Sequence, residues 1–445
     1  MRPRLMQRYN QRGRLSVLSL LVVIALVVTA CVAQTPAGSG VATGDTAATG
    51  EATTIRVTCW ESGEALEPFN NAIEKFQAEN PEIQVQLECI PQEYGTKLLA
   101  QLAAGSAPDI FQNGDGDVAK YVQEGAVAPL DDFISGADGL DMNAFLPGVA
   151  SFGQVEGQTY YLTKDYSPLV LYYNKKLFDE AGVAYPTADW TWDNLLEAAQ
   201  ALPKPDGAQW GIQMPNSWGD LTWLRGVLPL IYQNGGSVIS DDGLTTTGHL
   251  NSPETVAAIQ WYADLIRTHK VAPSKADMDA LAGVDLFQTG KVAMLWTGRW
   301  PLKDFIANPE LEFGTMGLPA GPSGKANALC WAGFTLNANS EKKDAAWKFL
   351  KYIAAGEGAQ EFADYAFTAV QAVAESQNLA TDEYNAPIIA DLDNVKPLPE
   401  FTTAKFADCV DKFYKEEIEQ VFLSDKEVQT AMDDAATKAD ACLAE

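Results

Sequence analysis

The feature that most constrains the fold is an alternation of strand-like and helix-like segments that begins at Thr54. Residues 55–60 have the composition of a β-strand, and residues 66–76 place apolar side chains three and four positions apart, which predicts a helix. Apolar and polar residues then alternate over 83–89, which predicts a second strand, and another helix and strand follow as far as Phe111. This order predicts an α/β fold with a parallel sheet.

Polar and aromatic side chains follow the predicted strands. Trp60 and Glu61 come directly after the first strand, and Asn113 with Asp115 comes after the third. The carboxyl ends of parallel strands form the edge at which α/β folds bind ligands, so these four side chains are candidate ligand contacts. The alternating oxygen groups of the second pair also match part of a calcium-binding loop. That loop requires glycine where Val118 stands, so the sequence favours a polar ligand contact over a metal site.

The length and charge of the chain exclude several classes of protein. At 445 residues the chain exceeds the size at which one hydrophobic core stops growing, so two lobes are expected. The formal net charge of −28 becomes −33 if residues 1–30, which hold five arginines and no acidic residue, are removed. A chain this acidic, with no cluster of lysine and arginine, is not expected to have a nucleic-acid partner.

Residues 1–30 have the features of an export signal. Five arginines precede an apolar run over 15–28, which is shorter than the roughly 20 residues needed to span a bilayer. The small residues before Cys31 resemble a bacterial lipobox, which implies cleavage before Cys31 and acylation of its sulfur. An ordinary signal peptide that leaves Cys31 as a thiol is the alternative. Residues 31–53 are small and polar and predict a flexible tether, so the expected product is an extracytoplasmic protein attached to the membrane by lipid only.

A motif at residues 286–300 combines a glycine-terminated helical segment, a strand of sequence Lys-Val-Ala-Met and a Gly-Arg-Trp turn. With segments at 109–130 and 172–178 and the pair at 191–192, it resembles the extracellular solute-binding proteins of the maltose-binding type. The resemblance covers most of residues 54–353, in the family's order. It implies an α/β fold of the two-lobed periplasmic-binding-protein type with the ligand in the cleft between the lobes.

The resemblance also implies that both lobes are discontinuous in sequence. The expected boundaries are 54–163 with 291–325 for the N-terminal lobe, 164–290 with 326–400 for the C-terminal lobe, and 401–445 for C-terminal helices. In this scheme the strand after Gly290 carries the chain back to the N-terminal lobe. A capping box from Ser424 to Glu427 is expected to begin the last helix.

The resemblance implies a function as well. The chain is identified as a substrate-binding protein of an ABC importer that captures a sugar or oligosaccharide and delivers it to a membrane permease driven by a separate ATPase. Such a protein catalyses no reaction and needs no cofactor or metal, and a monomer is expected. A non-sugar solute such as a polyol, phosphodiester or peptide is one alternative. A secreted glycoside hydrolase is another, because its cleft also combines aromatic and carboxylate side chains.

A sugar ring has an apolar face that aromatic side chains cover and a polar rim that hydrogen-bonding groups reach. The candidate ligand-binding residues, several of them implied by the resemblance, are Trp60, Glu61, Asn113, Asp115, Asp165, Tyr166, Trp218, Trp223, Arg299, Trp300 and Trp331. Trp300 has the strongest case because the family's Gly-x-Trp tryptophan lines the cleft, and packing in the core is its alternative role. Arg299 is expected either to donate to the ligand or to form a surface salt bridge.

Six cysteines are present, and in an exported protein such residues form disulfides where geometry permits. Cys59 and Cys89 end two strands that are expected to be neighbours. Cys409 and Cys442 lie at similar distances from the turn of a predicted helical hairpin. These positions predict the bridges Cys59–Cys89 and Cys409–Cys442. No cysteine lies at ligand spacing from a histidine, so no metal site is expected.

Overall fold

The computed structural model describes residues 52–114, 117–203, 209–214 and 221–445, in which helices and strands alternate. The β-strands are β1 (Thr53–Thr58), β2 (Ile83–Leu87), β3 (Ile110–Gly114), β4 (Gln154–Val155), β5 (Gln158–Thr159), β6 (Tyr161–Pro168), β7 (Val170–Asn174), β8 (Trp210–Gln213), β9 (Val292–Thr297), β10 (Phe313–Met316), β11 (Leu329–Leu336) and β12 (Phe367–Thr368). The α-helices are α1 (Glu67–Glu79), α2 (Tyr94–Ala103), α3 (Asp117–Gln123), α4 (Asp131–Ser135), α5 (Pro147–Ala150), α6 (Lys175–Ala181), α7 (Trp192–Ala201), α8 (Leu224–Gln233), α9 (Pro253–Arg267), α10 (Lys275–Ala280), α11 (Leu302–Ala307), α12 (Lys343–Ala355), α13 (Gln371–Gln377), α14 (Ala386–Ala390), α15 (Lys412–Ser424) and α16 (Val428–Leu443).

The first lobe is built on a sheet of six described strands in the order β12-β6-β11-β3-β1-β2. As the alternating pattern predicts, β1 pairs in parallel with both β2 and β3. The apolar stripe of α1 is buried in this lobe. Phe69 lies edge-on to Phe334 of β11, and Phe76 lies edge-on to Phe349 of α12. These contacts hold α1 and α12 in the core of the first lobe.

The second lobe is built on a sheet of four described strands in the order β10-β7-β9-β8. β7 runs antiparallel to both of its neighbours, and β8 pairs in parallel with β9. The helices around this sheet begin where the sequence predicts. The Thr191 side chain accepts a hydrogen bond from the backbone N–H of Asn194 and caps α7, and Ser252 caps α9 in the same way before Pro253.

The strand pairing corrects the predicted lobe boundaries. Residues 291–325, expected in the first lobe, supply β9 and β10 to the second sheet. Conversely, β11 and β12 lie within 326–400, which was expected in the second lobe, yet both pair in the first sheet. All of β6 also belongs to the first sheet, so the expected crossing at residue 164 occurs later. Local periodicity identifies a strand but not its pairing partner, because pairing depends on residues far away in sequence.

Two crossings between the lobes are joined by one side chain. The chain leaves the first sheet at Pro168 and enters the second at Val170, and it returns to the first sheet just before β11. The amide of Asn327, at this return, bonds both backbone groups of Leu169. Its Nδ2 donates to the carbonyl oxygen at 2.8 Å, and its Oδ1 accepts from the N–H at 3.1 Å. The side chain of Asn327 thus links the two crossings by a pair of hydrogen bonds.

The two C-terminal helices form a hairpin that packs on α9 of the second lobe. The capping box predicted to begin the second of them is wrong. Ser424 is the last residue of α15, and its hydroxyl donates to the carbonyl oxygen of Gln420. Ser424 is therefore still helical and lacks the extended conformation that an N-cap requires, and the left-handed Asp425, with φ of 55°, ends α15 immediately after it. The N-cap of α16 is Glu427, which makes no side-chain capping bond.

The described cysteines form two disulfides, one in the first lobe and one in the C-terminal hairpin. Cys59 and Cys89, with Cα atoms 4.4 Å apart, join the ends of the parallel strands β1 and β2. Cys409 and Cys442, with Cα atoms 5.5 Å apart, join the open end of the C-terminal hairpin. Neither bridge includes Cys330, which is buried in β11.

Candidate functional site

The site begins with a polar group at the carboxyl edge of the first sheet. Glu61 follows β1, and its Oε1 accepts a hydrogen bond of 2.9 Å from Nε2 of Gln112 in β3. Burial raises the pKa of the Glu61 carboxyl, and the positive charge of Lys164 and the bond from Gln112 only partly offset this effect. The parallel pairing of β1 with β3 therefore brings together groups that are about 50 residues apart in sequence.

Several polar side-chain atoms near the carboxyl ends of β1 and β3 have no protein partner within the described part of the chain. Asn113 is 2% exposed, and both its side-chain oxygen and its side-chain nitrogen lack a hydrogen-bond partner. Oε2 of Glu61 and Oε1 of Gln112 are also buried without a partner. Gln112 and Asn113 are consecutive on β3, so their side chains project to opposite faces of the sheet. Buried polar groups in folded proteins are nearly always paired, so the unpaired atoms on each face indicate a place for an outside partner. Asp115, predicted beside Asn113, lies outside the described residues.

The next two candidates lie on β6, where the chain approaches the crossing. Asp165 is buried and forms an ion pair with Lys164. Lys164 also lies 4.9 Å from the centre of the Phe362 ring. Tyr166 is half-buried against the Phe367 ring, with ring centres 5.7 Å apart, and burial raises the pKa of its hydroxyl. β6 therefore places a paired carboxylate and an aromatic ring at the boundary between the lobes.

Arg299 follows β9 of the second lobe and contacts both lobes: Asn385 precedes α14, which packs on β10 of the second lobe, whereas Ala363 belongs to the first lobe. Its Nε donates to Oδ1 of Asn385 at 2.6 Å, and Nη1 donates to the backbone oxygen of Ala363 at 3.4 Å. The residue is only 3% exposed, so the surface salt bridge considered for it is excluded. Because these donors are directed to protein atoms, Arg299 is placed to hold the two lobes together.

Trp300 and Trp223 form an aromatic pair on the second lobe. Both rings are half-buried, and they meet edge to face with centres 6.3 Å apart. A Cβ atom on Gly298 would lie 1.8 Å from a ring carbon of Trp300, so glycine there allows the ring to lie over its own backbone. Trp296, on the preceding strand, is by contrast fully buried. Trp218 lies outside the described residues.

Two further tryptophan candidates pack against aromatic neighbours. Trp60 is half-buried and lies edge-on to Tyr94, with ring centres 5.5 Å apart. Trp331 of β11 is buried, and its ring is almost parallel to that of Phe401, with an interplanar angle of 17° and centres 6.0 Å apart. Phe152 in turn stacks on the Phe401 ring, with ring centres 5.8 Å apart.

Sequence reasoning missed Phe152 and Phe401. Phe401 comes from the second lobe, whereas its two aromatic partners come from the first, and its side chain is still 47% exposed. No local pattern marks either phenylalanine. The only available signal was the Pro-Leu-Pro-Glu-Phe stretch at 397–401, which disfavours a helix and so predicts a loop where an aromatic side chain can be exposed.

The described residues contain no group of three or more His, Cys, Asp or Glu side chains arranged to hold a metal ion. Within the same residues, no helix combines the length and apolar character needed to cross a membrane.

Two α/β lobes joined by crossing strands, with polar and aromatic groups from both lobes at their boundary, define a two-lobed solute-binding protein. The family model described as bacterial extracellular solute-binding protein matches residues 60–361, and the chain belongs to this family. It is thus an extracytoplasmic solute-binding protein of the ABC transporter type.

Individual relatives show the range of solutes bound by similar chains. A maltotriose-binding protein of Pyrococcus abyssi is 25% identical over 298 residues, which cover 64% of this chain and 59% of the relative. An sn-glycerol-3-phosphate-binding periplasmic protein of Rhizobium meliloti is 29% identical over 262 residues, which cover 56% of this chain and 59% of the relative. An ABC substrate-binding protein of Listeria monocytogenes, solved in complex with cycloalternan, has a TM-score of 0.79 and 27% identity and covers 88% of this chain and 99% of its own.

Proposed function

We propose that this protein captures an uncharged sugar or oligosaccharide in the cleft between its lobes and delivers it to an ABC permease. The observation that carries the proposal is the buried amide of Asn113, whose oxygen and nitrogen have no partner among the described residues. An amide both donates and accepts hydrogen bonds, which matches the hydroxyl groups on the rim of a sugar. The half-buried rings of Trp60, Tyr166 and Trp300 supply the apolar surfaces that a sugar ring requires.

The charges near the site favour an uncharged ligand over a phosphodiester. Lys164 is ion-paired with Asp165, and Arg299 donates to Asn385 and to the backbone. An anionic ligand would have to compete for cations that already have buried partners, and breaking such a pair is costly. The relatives named for maltotriose and for cycloalternan support the same choice. The relative named for sn-glycerol-3-phosphate makes that anion the necessary comparison.

The ligand contacts in this proposal come from both lobes. Those within the described residues are Trp60, Glu61, Asn113, Asp165, Tyr166, Trp223, Trp300 and Trp331. Asp115 and Trp218 are proposed from the sequence alone. Arg299 is proposed as a residue that positions the lobes rather than one that touches the ligand.

A thermal-shift screen of the two lobes with the C-terminal helices, residues 54–445, tests the proposal. It should include maltotriose, smaller saccharides, polyols and sn-glycerol-3-phosphate, and at least one uncharged saccharide should raise the melting temperature. A ligand at about 100 times its dissociation constant stabilises a folded protein by about 2.7 kcal/mol. The Asn113→Ala variant should lose the shift, while Asn251→Ala, which removes an amide that bonds Asp433 on α16, should keep it. A response to sn-glycerol-3-phosphate alone would contradict the proposal, and chemical change of the bound sugar would favour a hydrolase.

We propose further that the protein is a lipoprotein anchored through Cys31. The arginine-rich start, the short apolar run and the polar segment over 31–53 support this assignment, although all but residues 52 and 53 lie outside the described residues. Intact mass measurement of the membrane fraction should show a chain that begins at an acylated Cys31. A Cys31→Ala form that stays with the membrane, or a mature chain that begins elsewhere, would contradict it.

A further inference from the structure

A segment at the start of the C-terminal hairpin is fastened firmly to the second lobe. We name residues 399–411 the clasp. They comprise a short 3-10 helix at Pro399–Phe401 and a π-helical turn at Phe406–Asp411. Near one end Glu400 forms a buried ion pair with Arg225 of α8, and near the other Cys409 is bridged to Cys442 of α16. With both ends fixed, the segment moves with the second lobe.

The first contact that the clasp makes with the other lobe is aromatic. The ring of Phe401 lies nearly parallel to Trp331 of β11, at 6.0 Å and 17°, and to Phe152, at 5.8 Å and 21°. The side chain is nonetheless 47% exposed, so its neighbours cover it only in part. Aromatic pairs of this kind stabilise a contact by more than the burial of their apolar area alone would do.

The second contact is electrostatic. Asp408 accepts a hydrogen bond of 2.6 Å from Nζ of Lys120 on α3, a helix of the first lobe. Side-chain exposures of 53% for Asp408 and 20% for Lys120 place the pair at the protein surface, where salt screens it. One rigid segment thus presents an aromatic ring and a carboxylate to the opposite lobe, seven residues apart.

We propose that Phe401 and Asp408 hold the cleft in its closed arrangement before any ligand is bound. Because both groups sit on a segment anchored to the second lobe, a rotation that moves this segment away from β11 and α3 separates both contacts. A ligand that touches both lobes binds the closed form, so contacts that populate this form raise the apparent affinity. This step rests on the proposed function for its effect on affinity, but its effect on the ligand-free protein does not.

The first test measures the radius of gyration of the ligand-free protein by small-angle X-ray scattering. Phe401→Ala and Lys120→Met should each increase it, and the double variant should increase it further. Two matched controls should leave it unchanged. Leu423→Ala removes another exposed apolar side chain of the hairpin, and Lys348→Met breaks an ion pair with Glu82 that lies within the first lobe. An unchanged radius of gyration in both clasp variants overturns the proposal, whether or not any sugar binds.

The second test measures the affinity of the same variants for maltotriose by calorimetry. Phe401→Ala loses two stacking contacts and should bind maltotriose up to about tenfold more weakly. Lys120→Met should bind it up to about fivefold more weakly. Phe401→Leu, which keeps apolar bulk without a ring, should fall between the natural protein and the alanine variant and guards against misfolding. Tighter binding by Phe401→Ala would mean that the ring occupies the ligand's place, which also overturns the proposal. If the natural protein does not bind maltotriose, the scattering result decides alone.

Discussion

The guanidinium of Arg299 lies over the ring of Phe367, 4.8 Å from its centre. Arg299 follows β9 in the second sheet, and Phe367 begins β12 at the edge of the first, so this stacking joins the lobes. Burial lowers the pKa of the arginine, and nearby Tyr172 and acidic groups oppose that effect. A buried cation is retained when hydrogen bonds and an aromatic face replace its hydration, and Arg299 has both.

Arg299→Lys should therefore reduce stability rather than abolish ligand contact. Lysine keeps the charge but loses the planar group that both stacks on Phe367 and donates to Asn385. We expect a loss of about 1 to 3 kcal/mol in the free energy of unfolding, measured by denaturant titration. Arg267→Lys, at a partly exposed ion pair with Asp425, is the control and should change stability by less than 1 kcal/mol. A large loss of affinity at unchanged stability would instead place Arg299 in contact with the ligand.

Trp300→Ala should weaken ligand binding more than it weakens the fold. Its ring is half-buried beside Trp223, and loss of an aromatic stacking surface typically lowers affinity by about 1 to 3 kcal/mol, roughly tenfold to a hundredfold. Trp296→Ala, on the preceding strand β9, is the matched comparison, because that ring is fully buried and its loss should cost about 3 to 5 kcal/mol of stability. Calorimetry and a denaturant melt on both variants separate these outcomes. If Trp300→Ala keeps its affinity but loses stability, the ring belongs to the core.

Glu61→Gln should raise the melting temperature at neutral pH and have a smaller effect in acid. Burial raises the pKa of this carboxyl in the folded protein, so the folded state holds the proton more tightly than the unfolded chain does. The stability that this tighter proton binding contributes to folding is fully present below the unfolded-state pKa of 4.5. It is lost as the pH rises through the raised pKa of the folded state. Glutamine keeps the acceptor for Gln112 and removes the buried charge. Melting curves from pH 4 to pH 8 test this, with exposed Glu93→Gln as a control that should show no such trend.

The disulfides should be visible by peptide mapping without reduction. Peptides that contain Cys59 and Cys89 should be recovered joined, as should those that contain Cys409 and Cys442. The bridges close loops of 30 and 33 residues, and removal of either by paired serine substitution should cost about 3 to 4 kcal/mol of stability. Recovery of Cys330 in either bridge would refute this pairing.

Sequence patterns over a few residues predicted the elements that depend on interactions between residues close together in the chain. The caps at Thr191 and Ser252 were predictable because a capping bond joins residues only three apart. The parallel pairing of β1 with β2 was predictable because a single helix connects them. The wrong prediction of a capping box at Ser424 also concerns neighbouring residues. The left-handed Asp425 ends α15 directly after Ser424, so Ser424 does not cap the next helix.

The sequence by itself determined the α/β class, which follows from the spacing of apolar residues along the chain, and the family, which follows from local motifs that occur in the family's order. Only the tertiary structure decided that β9 and β10 belong to the second lobe and that Arg299 bonds to the opposite lobe. It alone brought Phe401 against Trp331, 70 residues earlier in the chain. Sheet membership and burial depend on which distant segments exclude water together, and local spacing contains no information about that choice.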